Sequence, residues 1–400
     1  MKAIILTAGE GSRMRPLTYT RPKTMLPLAN KPILEHLLIE AKNAGIRDFI
    51  FVVGYRDEQV RDYFGDGEQW GVNIAYSTQR KQLGTADAIM MVESLVNGNF
   101  LVINGDIIVN QKDINSLINK NDNTMSLFEV ENARDLGVVE IKGDSIVCIH
   151  EKSEKPPSRM ANAGLYLFTP DIFDGISQIS KSQRGEYEIT DALQMLIEGG
   201  HHVSYQEISY WLNLSYPWDL LTANESLLGR IKSQNRGTVE DNAVIKGAVY
   251  IGENTLVRSG SYIVGPVVIG QNCDIGPNCY IRPATAIGDN CHIGSAVEIK
   301  NSIVMKGSKI PHHNYLGDSV IGAGCNLGAG TKIANLRLDK KNINIAGINT
   351  ARRKLGAIIG DNVQTGINAC IDVGSMIGDN THIGPGAIVG GSILSDSKIF

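Results

Sequence analysis

Hydrophobic positions follow two different periods along this chain, and the change between them falls just past its middle. Up to about residue 210, short runs rich in Ile, Val and Phe (Lys2 to Leu6, Phe49 to Val53, Ile74 to Tyr76, Phe100 to Ile103) alternate with stretches of helical period (Ile33 to Ala44, Ala86 to Val96, Ile114 to Asn119). The runs read as strands and the stretches as helices, because a helix returns to the same face after three or four residues. Such alternation predicts a parallel sheet covered by helices, whose ligands collect beyond the carboxyl ends of the strands. Chemistry is therefore expected in the loop from Thr7 to Thr20 and at Asn104-Gly105-Asp106.

A connecting helix is predicted from about Pro217 to Lys232, and beyond it the helical period vanishes. Aliphatic residues then recur every six positions: Ile245, Ile251, Val257, Ile263, Ile269, Ile275, Ile281, Ile287, Ile293 and Ile299. The register slips near Pro311, continues through Leu316, Ile321, Leu327 and Ile333, and returns at Ile359, Ile371, Ile377, Ile383 and Val389. A unit this short cannot bury its own hydrophobic face, so successive coils must stack on one another. Two domains are expected, residues 1–232 and 233–400, and the second resembles the left-handed β-helix of the hexapeptide acyltransferases.

Composition narrows the functional classes. A chain of 400 residues, 42% hydrophobic and 20% charged, exceeds one ordinary core and carries no apolar run long enough for a bilayer. A net charge of -4 offers no field for a polyanion, which disfavours nucleic acid as a partner. Cys148, Cys273, Cys279, Cys291, Cys325 and Cys370 form no CxxC pair and no zinc spacing, so they read as reduced structural residues. The first residues run directly into a strand with no room for a secretory signal, and a cytoplasmic protein is expected.

Gly9-Glu10-Gly11-Ser12-Arg13 follows the first strand, where unobstructed backbone N–H groups can converge on phosphate. It lacks the third glycine of a dinucleotide fingerprint, since Met14 stands there, and no Lys-Ser/Thr pair of a P-loop follows. Arg13, Arg15, Arg21 and Lys23 gather behind it, a density of cations suited to a triphosphate. The whole segment, LTAGEGSRMRPLTYTRPKTMLPLANKPILEH, resembles the signature of the sugar-1-phosphate nucleotidyltransferases.

That resemblance implies that Leu6, Ala8 and Gly9 approach the base, and that Gly11, Arg13 and Lys23 hold the triphosphate. Gln79 with Gln82-Leu83-Gly84-Thr85-Ala86 matches the base-reading segment, with Gly84 permitting close approach. Asp106 matches the Mg²⁺-binding Asp, and Asn213 stands where its usual Asp partner would be. Gly137, Glu151, Lys152 and Asn162 match sugar-binding positions. The implied nucleotide is UTP or dTTP and the implied acceptor a sugar 1-phosphate.

Where the repeat slips, GSKIPHHNYLGDSVIGAGCNLGAGT resembles the acetyltransferase domain of the bifunctional enzymes that acetylate glucosamine 1-phosphate with acetyl-CoA and uridylylate the product. By position, His312 matches the general base and Glu298 the carboxylate orienting it. Arg282, Lys300, Tyr315, Asn326 and Asn335 match substrate-site residues, and Lys341 is a sugar-phosphate candidate in the stretch before Ile359. Leu336 departs from the family, which has tyrosine there; in this the chain resembles the archaeal-type branch. The resemblance implies a homotrimer. The alternatives are a nucleotidyltransferase whose β-helix only assembles or regulates, and a silent subunit that senses sugar nucleotides; intact Gly11, Arg13, Lys23 and Asp106 speak against the latter.

Overall fold

The structure, a computed structural model, describes residues 1–151 and 155–400. It forms two compact units. The first comprises Met1–Glu10, Pro22–Met25 and Ile33–Asn213; the second comprises Gly11–Arg21, Leu26–Pro32 and Leu214–Phe400.

The first unit is built on a nine-stranded sheet. In spatial order it runs Asn73–Thr78, Asp48–Val53, Lys2–Leu6, Phe100–Asn104, Met160–Phe168, Asn123–Glu129, Val203–Glu207, Ser145–Glu151 and Gly137–Lys142. The four leading strands are parallel, as alternation with helices predicts. Met160–Phe168, however, lies antiparallel to Phe100–Asn104, so the sheet is mixed rather than wholly parallel. Periodicity carries no strand direction, and this half contains a hairpin, Gly137–Lys142 with Ser145–Glu151, that needs no crossover helix. Two apolar clusters cover the two faces. One gathers Ile4, Ile50 and Val102 under Ile89 and Leu193; the other gathers Ile5, Phe51 and Ile103 under Leu34, Leu37 and Ile114. The helices are Ile33–Asn43, Asp57–Phe64, Thr85–Met90, Gln111–Ile118, Ile172–Gln178 and Ile189–Glu198.

The second unit is a left-handed parallel β-helix of three sheets, with nine, nine and eight strands. Ile251, Ile269 and Ile287 stack in register on one face, Val257, Ile275 and Ile293 on the next, Ile263, Ile281 and Ile299 on the third. All nine are essentially water-free and belong to one continuous core. At its turns, Asn254, Asn272, Asn290, Asn362 and Asn380 take positive φ, a conformation asparagine adopts more readily than other side-chain-bearing residues. The slip falls earlier than Pro311: Ile287 pairs with Val304 and Ile299 with Leu316, so one residue is missing between Ile299 and Val304. A second is missing between Leu316 and Ile321, and the insert from Asn335 to Leu355 precedes Ile359.

The helix expected to close the first domain, observed as Asp219–Leu228, clusters with the β-helix unit. Leu228 packs with Val268 and Ala286, and Asn224 donates to the Ala284 carbonyl at 3.1 Å while accepting the Ala29 N–H at 2.8 Å. An apolar stripe shows that a helix is covered but not by what. The loop Gly11–Arg21 belongs to this unit too: Arg21 and Thr20 both meet Asp361 Oδ2, and Arg21 Nη1 lies 2.9 Å from Met305 Sδ. Among the described residues no helix is long and apolar enough to cross a membrane.

Candidate active sites

In the first unit, the carboxyl ends of Lys2–Leu6 and Phe100–Asn104 lie side by side, with Leu6 opposite Asn104. The Gly105 N–H donates to the Leu6 carbonyl at 3.0 Å, and a Cβ at Gly105 would run into that same oxygen, so only glycine lets the chain turn here. Asp106 follows. Its Oδ2 lies 2.8 Å from Lys23 Nζ, and the Lys23 side chain is almost fully withdrawn from water. Ile107–Ile108 pairs antiparallel with Leu212–Asn213, which sets Asn213 opposite Ile107, the residue that follows Asp106. Thr24 Oγ1 and Asn104 Oδ1 are buried nearby in sequence with no hydrogen-bond partner.

Asp106 and Asn213 offer hard oxygen donors, and an ammonium already stands against the Asp106 carboxylate. This donor set fits Mg²⁺, which takes one or two protein oxygens and completes its shell with water and phosphate.

Ala8 is buried, and its carbonyl accepts the Tyr55 N–H at 3.1 Å. A Cβ at Gly54 would press on the Ala8 and Gln79 carbonyls, while Gly9 has open space around it. Gln79 is buried, with its amide donating to the Gly84 carbonyl at 3.1 Å and to Asp87 Oδ2 at 2.7 Å. Gly84, expected to admit a base, is required for a nearer reason: at φ 115 its Cβ would overlap the backbone of Tyr187. Thr85 Oγ1 accepts the Ile189 N–H at 3.0 Å and so ties together the starts of two helices. Gly11 takes φ 67, and Arg13 stacks 5.8 Å from the ring centroid of Tyr216; both are in the second unit.

The sugar-site candidates Gly137, Glu151 and Asn162 meet: Gly137 pairs with Glu151 across the hairpin, and a Cβ on Gly137 would lie 2.7 Å from Glu151 Oε2 and 3.9 Å from Asn162 Cβ. Asn162 donates to the Tyr166 hydroxyl at 2.8 Å, and burial pushes that phenol far above its ordinary range. Lys152 lies outside the described residues. Arg184, not singled out from the sequence, reaches both Glu151 at 3.1 Å and Glu188 at 2.7 Å. Asp87, which accepts from Gln79, is likewise unmarked by its local spacing.

Among the described residues one further trio has metal-ligating potential, Glu140, Cys148 and His150. It lies on a half-exposed hairpin, and His150 Nε2 already meets Glu140 Oε1 at 2.6 Å, which accounts for both groups.

In the second unit the acetyl-transfer candidates gather where the repeat is broken. His312 ends the strand Lys309–His312, opposite Ser295 on the coil before, and its side chain is exposed. Tyr315 begins the next strand opposite Glu298. Glu298 Oε1 accepts from Arg282 Nη1 at 2.9 Å and makes no hydrogen bond to His312 among the described residues. Lys300 Nζ lies 2.9 Å from Asp318 Oδ2, and Asn335 Nδ2 reaches the same oxygen at 2.5 Å. Tyr315 is pushed up by burial and by the charges of Glu298 and Asp318. Gly317 sits under this group, where a Cβ would strike Asn335 Nδ2 and the Tyr315 hydroxyl. Asn326 is exposed in register with Lys309, one face away, and Lys341 is exposed on the insert. A groove of about 400 Å³ opens beside Tyr315 and Lys332 and continues past Cys370, Asp372 and Ile388.

Comparison with known proteins agrees with both units. Residues 2–230 match the nucleotidyl transferase family, and residues 263–372 match the GMPPB C-terminal domain. The chain is 45% identical over 405 residues to the bifunctional protein GlmU of Methanococcus maripaludis, covering 100% of this chain and 95% of that protein. It is 42% identical over 398 residues to a bifunctional sugar-1-phosphate nucleotidylyltransferase/acetyltransferase of Sulfurisphaera tokodaii, covering 97% of each. The crystal structure of a proposed glucose-1-phosphate thymidylyltransferase from Bacillus anthracis superposes with a TM-score of 0.53 at 31% identity, over 59% of this chain and 98% of that one. The chain is a transferase enzyme of the nucleotidyl transferase family and belongs, over its whole length, with the bifunctional sugar-1-phosphate nucleotidylyltransferase/acetyltransferases.

Proposed function

We propose that the chain acetylates glucosamine 1-phosphate with acetyl-CoA and couples the product to a pyrimidine nucleotide, making UDP-N-acetylglucosamine from UTP, with dTTP or glucose 1-phosphate as alternative substrates. The nucleotidyl step is assigned to residues 1–232 and the acetyl step to 233–400. The observation that carries this reading is the Lys23–Asp106 pair, with Asn213 on the strand opposite Ile107, in a chain 42% to 45% identical to bifunctional relatives over nearly its whole length.

In the nucleotidyl step a sugar-phosphate oxygen attacks the α-phosphorus in line, the new P–O bond forms as the α–β bridge breaks, and pyrophosphate leaves. Leu6, Ala8, Gly9, Gln79, Gly84 and Thr85 would seat the nucleoside. Gly11, Arg13 and Lys23 would hold the triphosphate, and Gly137, Glu151, Lys152 and Asn162 the sugar phosphate. Asp106 and Asn213 would hold Mg²⁺, which when bound neutralises phosphate charge. In the acetyl step His312 would take the proton of the sugar amine as nitrogen attacks the thioester carbonyl, and the coenzyme thiolate leaves. Glu298 would orient His312, with Arg282, Lys300, Tyr315, Asn326, Asn335 and Lys341 around the acceptor.

Assembly is proposed to be a homotrimer through the β-helix, in the cytoplasm, without nucleic-acid or membrane partners. A second reading, nucleotidyl transfer alone on a structural β-helix, is favoured by one observation: Glu298 is engaged by Arg282 and not by His312. A panel of nucleoside triphosphates against sugar 1-phosphates, monitoring pyrophosphate and repeated with acetyl-CoA, decides. Thioester loss dependent on glucosamine 1-phosphate supports the bifunctional reading; pyrophosphate release without it supports the second.

A further inference from the structure

One corner of the β-helix departs from the repeat on three successive coils. The turns after Ile299 and after Leu316 are each one residue short, and after Ile333 the chain leaves in the insert that returns at Leu355. Asn301, Asp318 and Asn335 occupy those three turns, and their side chains converge. Asp318 is at the centre. Its Oδ2 accepts from Lys300 Nζ at 2.9 Å and from Asn335 Nδ2 at 2.5 Å, and its Oδ1 accepts from Asn301 Nδ2 at 2.7 Å. Its backbone N–H donates to the Lys300 carbonyl at 2.9 Å, and its own carbonyl accepts the Gly356 N–H at 2.8 Å, where the insert rejoins.

Packing does not call for this arrangement. At another corner of the β-helix the residue of positive φ is an exposed asparagine (Asn272, Asn290, Asn362, Asn380), and one coil before Asn301 at this corner it is the small Ala284. Here, at φ 53, it is an aspartate with 3% of its surface exposed. A buried carboxylate is costly unless ionised partners and donors surround it, so three donors on one carboxylate mark a built group rather than a tolerated one.

We propose that Asp318 is a positioning residue for acetyl transfer: its carboxylate holds Lys300 and Asn335 side by side so that the remaining ammonium donors of Lys300, and the Tyr315 hydroxyl that Asn335 fixes, face an anionic sugar-phosphate acceptor. Lysine has three donors, so Lys300 keeps two after bonding Asp318, while the amide of Asn335 divides its two between Asp318 and Tyr315. Without the carboxylate, Lys300 is a charge on a flexible stem, and the acceptor meets an unordered cation. This inference rests on the acetyltransferase reading of the site.

The test is steady-state kinetics on the full-length protein. Asp318→Asn keeps the size and removes the charge. It should raise KM for glucosamine 1-phosphate so that kcat/KM falls by about 10², the scale of loss when a reactant is misplaced by about an ångström. KM for acetyl-CoA and the rate of pyrophosphate release should not change. In a double-mutant cycle with Lys300→Ala, the double variant should lose clearly less than the sum of the two single losses, because Asp318 acts in part through Lys300 and for the rest through Asn335. Additive losses, an unchanged KM for the sugar phosphate, or an equal rise in KM for acetyl-CoA would each overturn the inference while leaving the acetyltransferase reading intact. If Asp318→Asn does not fold, Asn301→Gly, which keeps the positive φ and removes one hold on Asp318, should show a smaller rise in the same KM; no rise overturns the inference. An unaltered protein that acetylates no amino-sugar phosphate ends both the reading and the inference.

Discussion

Lys23 brings its ammonium 2.8 Å from the carboxylate of Asp106, with 10% of the Lys23 side chain exposed against 38% for Asp106. The lysine is thus committed to a carboxylate that stays partly exposed. Asp106→Ala should remove both the oxygen donor and the partner of a buried cation, and pyrophosphate release should fall by more than about 10². Acetylation of glucosamine 1-phosphate should be unchanged, since that site needs no metal. Retention of more than a few per cent of nucleotidyl activity at saturating Mg²⁺ would take Asp106 out of its proposed role.

Asp379 supplies a pH-dependent term. Burial raises its carboxyl to about 6, assisted by the like charges of Asp361 and Asp396 and opposed by the Asp361 N–H at 2.7 Å and by Arg21. The folded value lies above the unfolded one, so the native state holds the extra proton between about pH 4 and 6 and stability falls as pH rises through that window. Asp379→Asn removes the charge and keeps an oxygen for the N–H. The variant should melt higher than the parent at pH 7.5 and level with it near pH 4, by calorimetry. An equal shift at both values would mean that the carboxylate charge is not the cause.

The cysteines divide by burial. Cys291 and Cys325 are pushed up to about 12 by burial, and Cys273 and Cys279 are raised for the same reason. Cys370 is exposed and Cys148 half-buried. A thiol reagent at pH 8 should titrate two thiols in the native protein and six after unfolding. Reaction of four or more in the native state would contradict the packed β-helix core.

Much of this architecture was open to reading because its periods are strict. Inward positions such as Ile251, Ile269 and Ile287 are fixed by the repeat itself, and the loop ending in Lys23 is fixed by contiguous residues. What stayed hidden depends on partners distant in sequence. Arg184 meets Glu151 and Asp113 caps Ser209 and Tyr210 only after folding. The aliphatic register breaks visibly near Pro311, whereas the missing residues are at the turns of Asn301 and Asp318. Gly84 reads from its motif as a ligand-contact glycine, and Tyr187, about a hundred positions later, gives it a packing reason that local sequence does not show.

The proposed division after Lys232 meets the packing of Asp219–Leu228. A fragment ending at Lys232 contains both sheet clusters, so it should keep a cooperative thermal transition. It loses Val268 and Ala286 from Leu228, and Asp361 from Arg21, so apolar surface and an unpaired cation are uncovered. Light scattering should show a polydisperse species in place of the proposed trimer. A discrete trimer of this fragment would show that the β-helix is not the assembly element.

His312 discriminates between an enzymatic and a structural β-helix at a single position. It ends a strand at the break in the repeat, exposed and opposite Ser295, and it contributes no aliphatic side chain to the stacked core. An amine must lose its proton before it can attack a thioester, and removing a positioned general base costs about 10² to 10⁴ in rate. His312→Ala should therefore reduce acetyl transfer by that order while pyrophosphate release and thermal unfolding stay as in the parent. His313 supplies the control: it sits at φ 51 and its carbonyl takes Lys332, so His313→Asn, which tolerates that backbone, should be close to neutral. Equal losses from both changes would point to a local structural effect. Full acetyl transfer by His312→Ala would remove it as the base, and the Arg282-bound Glu298 would then have no histidine to orient.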